Sequence, residues 1–89
     1  MELIVRIKEQ APAVVRGDRN KFTIVGFKLL HGSDEFFAEM VKEGEQQVST
    51  LSKDFYYVAS IQFSLRDYKD KNNNDRFENR IRLNRLDVL

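Results

Sequence analysis

Tyr68 stands among cations: Arg66 lies two residues before it, and Lys69 and Lys71 one and three residues after it. An aromatic ring in cationic company suits the binding of single-stranded nucleic acid, which needs a basic track for phosphates and aromatic faces on which bases stack. The same ring could instead anchor a loop from beneath. Arg76, Arg80 and Arg82 come after a short polar interval. Such charges commonly solvate a strand face, but three across one hairpin tip the reading toward phosphate contacts. Tyr56 reads equally as a second stacking ring or as a core-rim or dimer contact. Phe36 and Phe37 are adjacent, so in a strand one points inward and the other outward, where it could stack. Lys28 completes the candidate set from an earlier strand.

Catalytic chemistry lacks its parts. His31 is the only histidine and lies in a Gly-Ser turn. There is no cysteine, which excludes disulfides and thiolate metal sites. Asp67, Asp70 and Asp75 have neither the spacing nor the glycine of a calcium loop. No phosphate-binding loop, nucleophile elbow or dinucleotide fingerprint occurs. The expectation is a binding protein without enzymatic activity, cofactor or metal.

The elements that must position these residues read as mostly strands. Leu3 to Lys8 alternates, with Leu3, Val5 and Ile7 on one face. Gln10 to Lys21 holds the only proline, Pro12, and reads as a loop or irregular strand ending in a turn. Lys21 to Leu30 is a second strand whose apolar alternation changes phase at Gly26, which predicts a bulge or sharp bend there. A turn over His31–Asp34 leads to a short strand over Phe36–Val41 and then to a short helix over about 43–52. Phe55 to Leu65 shows the strongest pattern, with Phe55, Tyr57, Ala59, Ile61, Phe63 and Leu65 in one apolar row. Phe22, Phe27, Phe55 and Phe63 are expected in the core. Asp67 to Asp75 is a polar hairpin loop whose three asparagines tolerate positive φ, and Arg76 to Leu83 returns as a strand.

That order, three strands, a helix and a hairpin, is the order of the OB-fold. Leu51-Ser52-Lys53, then Arg66-Asp67-Tyr68-Lys69-Asp70-Lys71, then Arg76-Phe77 resembles the second half of the bacterial and phage single-stranded-DNA-binding proteins. KFTIVGFKL resembles that family's second strand, and Phe36 falls where its third strand begins. The resemblance covers about residues 20–89 and is closest over 51–83. It implies a five-stranded OB-fold, an all-β barrel with one short helix, as a single domain over residues 1–89. It implies that Tyr68 is a stacking platform, that Phe36 is the stacking member of its pair, and that the protein forms dimers or tetramers.

The chain departs from the family at Asp54, at Ser60-Ile61 and at Asn72-Asn73-Asn74, where glycines are usual. It contains no tryptophan, and it ends at Leu89 without an acidic tail, which suggests either a phage or mobile-element form or a truncated chain. The function implied is sequence-independent coating of single-stranded DNA in replication, recombination or repair, with replication or recombination proteins as further partners. The other class considered is an OB-fold protein–protein adaptor, such as a primosomal accessory protein.

Net charge is only +1. Residues 1–33 carry six Lys/Arg against three acids, residues 34–47 one against five, and residues 64–89 seven against five. Two basic ends around an acidic middle fit a molecule with one cationic face. No stretch reaches the roughly 18 apolar residues that span a bilayer, and the N-terminus lacks a signal peptide's apolar core. The expected place is a bacterial host's cytoplasm or nucleoid, with no membrane partner.

Overall fold

Apolar residues at every second position supply most of the interior of this chain. The computed structural model describes residues 1–89 and contains six strands and no helix. They are β1 (Glu2–Gln10), β2 (Val14–Arg16), β3 (Phe22–His31), β4 (Asp34–Glu43), β5 (Tyr57–Lys69) and β6 (Asp75–Val88). Val5 and Ile7 of β1, Val25, Phe27 and Leu29 of β3, Ala38 of β4, Tyr57, Ala59 and Ile61 of β5, and Leu83 of β6 make one buried cluster. Within β1, β3 and β5 these are residues two apart, the signature of one face turned inward.

β1 serves two neighbours. Its first half pairs with β5 from Glu2↔Ser60 to Val5↔Tyr57, and its second half with β3 from Arg6↔Leu30 to Gln10↔Phe27. Lys8 is the extra residue between Ile7 and Glu9 that lets the strand change direction. β3 and β4 form an unbroken antiparallel hairpin closed at His31↔Asp34, and β5 and β6 form a second. β4 meets β6 in parallel at Glu39↔Arg82. The pairings run β1, β3, β4, β6, β5 and return to β1, while β2 lies beside β3. No helix is long and apolar enough to cross a membrane.

The structure corrects the sequence reading in several places. There are six strands where five were expected, and β4 is longer than Phe36–Val41. The helix expected near 43–52 is absent. Gly44 takes φ 76°, a left-handed turn that ends β4, and side chains of the strands then satisfy the following backbone. Thr23 Oγ1 donates to Gly44 O and accepts from Gln46 N–H. The Gln10 amide donates to Ser49 O and accepts from Leu51 N–H, and the Tyr57 hydroxyl donates to Ser52 O. Val48 and Leu51 still pack on the core, though from an irregular segment rather than a helix.

Gly26 produces no bulge, since β3 stays in register with β4 along its whole length. A Cβ there would lie 2.6 Å from Phe37 Cζ, so glycine leaves room for the aromatic ring crossing it. Of the four phenylalanines expected in the core only Phe27 is buried. Phe22, Phe55 and Phe63 are exposed.

Candidate nucleic-acid interface

The hairpin of β5 and β6 outruns the rest of the sheet. β1 leaves β5 at its own first residue, where the Met1 amine donates to Ile61 O and Ile61 N–H donates to Met1 O. β6 meets β4 at a single position. Residues 62–69 and 75–81 therefore stand out as a two-stranded arm, roughly 25 Å long at ~3.3 Å per residue. Register then decides which side chains share a face. Gln62↔Arg82, Ser64↔Arg80, Arg66↔Glu78 and Tyr68↔Arg76 lie on one side, and Phe63↔Ile81, Leu65↔Asn79, Asp67↔Phe77 and Lys69↔Asp75 on the other.

The first face gathers Arg66, Tyr68, Arg76, Arg80 and Arg82 into one exposed strip. The Arg66 guanidinium lies 5.2 Å from the Tyr68 ring centroid, a cation–π contact. Glu78 Oε1 accepts from both Arg66 and Arg80 at 3.2 Å. All these ion pairs are solvent-exposed, and such pairs contribute only about 0–1 kcal/mol. A phosphate can therefore displace a carboxylate from them at little cost.

Asp70 organises the tip. Its Oδ1 accepts the N–H groups of Asn72 and Asn74 at 2.9 Å, and its Oδ2 accepts Arg76 Nε at 3.0 Å. Asn73 takes φ 63°, which asparagine tolerates. The Asn74 N–H, then the Arg76 guanidinium, hold the Asp70 carboxyl below its ordinary range.

The remaining candidates fall elsewhere. Lys71 lies in the tip turn without an ion pair, whereas Lys69 is on the opposite face, bonded to Asp75 at 2.6 Å. Lys28 projects from the outer side of β3 and pairs with Glu9 at 3.1 Å. Tyr56 precedes β5, under the Arg6 guanidinium at 5.4 Å. Twelve positions separate it from Tyr68, about 40 Å along an extended strand, so the two rings are not neighbouring platforms. Phe36 packs against the core and Phe37 is the outward member, because buried Ala38 fixes the inward phase of β4.

Sequence reasoning missed the arm's second face. Phe63 and Leu65 are 60% exposed and Phe77 74%. The apolar row does run on past Ile61, as its spacing indicates, but no element covers its end. The available signal was the length of the row, which exceeds what the short β1 can pair. Comparisons with protein-family models, curated proteins and solved structures give no match.

Proposed function

We propose that this chain is a non-catalytic OB-fold protein that binds single-stranded DNA without sequence preference. Support for the fold comes from the pairing order, a closed circuit of five strands whose one parallel step joins β4 to β6. An OB barrel is a five-stranded, partly open barrel with oligonucleotides bound on one side. The observation that carries the DNA reading is the register of the arm, which collects Tyr68 and four arginines on one open face. Phosphates would run along Arg66, Arg76, Arg80 and Arg82, and a base would stack on Tyr68, displacing or extending the Arg66 contact.

Titration with oligo-dT tests the proposal. Binding should quench tyrosine fluorescence, reverse with added salt, and be far weaker for duplex of the same length. Absence of quenching and of any salt-sensitive binding would overturn it. The exposed apolar face of the arm would then favour the adaptor reading.

A further inference from the structure

The arm has an open edge on each side, and the two differ. Ile61 exchanges both of its backbone bonds with Met1, so alternation turns the N–H and C=O of Phe63 and Leu65 away from β6. That edge is closed at one end by the chain's own N-terminus. Gln62 and Ser64 then bond to β6 at Arg82 and Arg80, which leaves Asp75, Phe77 and Asn79 with their backbone groups directed outward. No strand of the chain pairs with them, because β4 reaches β6 only at Glu39↔Arg82. Beyond that point the two strands diverge around a groove lined by Phe37, Glu39, Asn79, Arg80 and Ile81. Phe77, in the middle of the open stretch, is 74% exposed, the most of any large apolar residue. An unpaired edge of this kind is a template for another strand.

The sequence of the edge shows that it complements itself. A second copy approaches antiparallel about a two-fold axis, so the residue on the axis fixes every other pair. An axis at Arg76 or Arg80 sets an arginine against its own copy. At Asp75 it opposes two aspartates, and at Glu78 two glutamates with Arg76 facing Arg80. At Asn79 it opposes Arg76 to Arg82, where β4 already holds the edge. Only an axis at Phe77 avoids like charges along the open stretch. It sets Phe77 against Phe77, Arg76 of each copy against Glu78 of the other, Asp75 against Asn79 and Asn74 against Arg80. Opposite charges and apolar pairs directly across a ladder stabilise it, and like charges do the reverse.

We propose that two copies of this chain join through the free edge of β6, with Phe77 on the two-fold axis. The arms then form one four-stranded sheet in the order β5, β6, β6, β5, which removes the weakness of an isolated ribbon. This edge and this register go beyond the self-association expected from the sequence. The axis stands perpendicular to the sheet, so like faces lie side by side. The strips through Arg66, Tyr68, Arg76, Arg80 and Arg82 merge on one side, and Phe63, Leu65, Phe77 and Ile81 of both copies on the other. Pairing itself does not depend on DNA binding.

Sedimentation of the whole chain at micromolar concentration, without nucleic acid, tests the interface. The wild-type chain should run as a dimer. Phe77→Ser should run as a monomer with its thermal transition retained, since the ring it loses is exposed. Arg76→Glu and Glu78→Lys should each be monomeric alone, because like charges then meet across the axis. An equimolar mixture of the two should recover the dimer, as an acidic edge then meets a basic one, and that recovery also shows both variants to be folded. A monomeric wild-type chain, a dimer indifferent to Phe77→Ser, or a mixture that stays monomeric would overturn the proposal. Oligo-dT titration of Phe77→Ser reads the DNA proposal separately, because Phe77 lies on the face away from the strip.

Discussion

Tyr68 keeps 38% of its surface in water although the Arg66 guanidinium lies over the ring. Loss of the ring should therefore be felt by a ligand and hardly by the fold. Tyr68→Ala is expected to cost roughly 1–3 kcal/mol of oligo-dT binding with the melting transition retained. Tyr68→Phe should bind nearly as well, because stacking uses the ring and no partner of the hydroxyl is needed. An unchanged affinity in a folded Tyr68→Ala would remove the stacking role. Phe27 and Phe63 make the opposite comparison. Phe27 is 1% exposed at the centre of the core, so Phe27→Ala should destabilise by about 3–5 kcal/mol and threaten folding outright. Phe63→Ser, on the open side of the arm, should leave the thermal midpoint almost unmoved. Thermal melts of the two variants side by side check this ordering, which the apolar row alone would have reversed for Phe63.

At the scale of elements, the arm is an antiparallel ribbon, and an isolated ribbon is marginal in water. Its tip is held by the Asp70 carboxylate, so the order of the tip must depend on that charge. The ordinary carboxyl value is 3.8, and the folded one is lower. A depressed folded value means that the stabilisation is fully present above pH 3.8 and is lost as pH falls through the folded value. The protection factors of the Asn72 and Asn74 amides, taken against the unstructured rate at each pH, should fall in that acidic window while core amides of β3 stay protected. Asp70→Ala should lack that protection and show fast exchange already at neutral pH. Slow exchange in that variant would mean the turn holds itself without the carboxylate. The turn was readable in advance, because Asn72-Asn73-Asn74 between polar flanks specifies one and Asn73 adopts the positive φ, but the loop expected over 67–75 is shorter, since Asp67–Lys69 belong to β5 and Asp75 to β6. The segment after Gly44 was not readable. Phe37, Met40, Val41, Val48 and Leu51 can be drawn on a helical face, yet the backbone is satisfied by Thr23 and Gln10 from distant strands, with the Tyr57 hydroxyl bonding Ser52 O from nearby. A local pattern cannot register partners supplied at sequence separations of 21 to 41 residues.

For the whole molecule, a near-neutral chain becomes a two-sided one only through strand register. The sequence placed cations at Arg66, Arg76, Arg80 and Arg82 but could not say that they share a face, because that follows from the pairing of β5 with β6. It also could not separate them from Lys69, which the same register sends to the other side. Charge on that face is then set by four arginines against Glu78, with Asp70 at the tip. Single-strand affinity should fall with salt at a slope of about −0.7 per phosphate neutralised. Arg80→Ala and Arg82→Ala should each lower affinity and make that slope shallower by up to about one phosphate's worth. Glu78→Gln should act in the opposite sense. Its carboxylate occupies both Arg66 and Arg80 in the free protein, so removing it frees two guanidinium groups for phosphate and should raise affinity at low salt. Lys69→Ala, on the far face and already paired with Asp75, should change the slope least. These four variants, titrated with oligo-dT over a series of salt concentrations, read the arm one face at a time. Loss of affinity in Lys69→Ala equal to that in Arg80→Ala would mean that DNA does not follow the strip through Tyr68. It would instead engage the arm as an undirected positive charge.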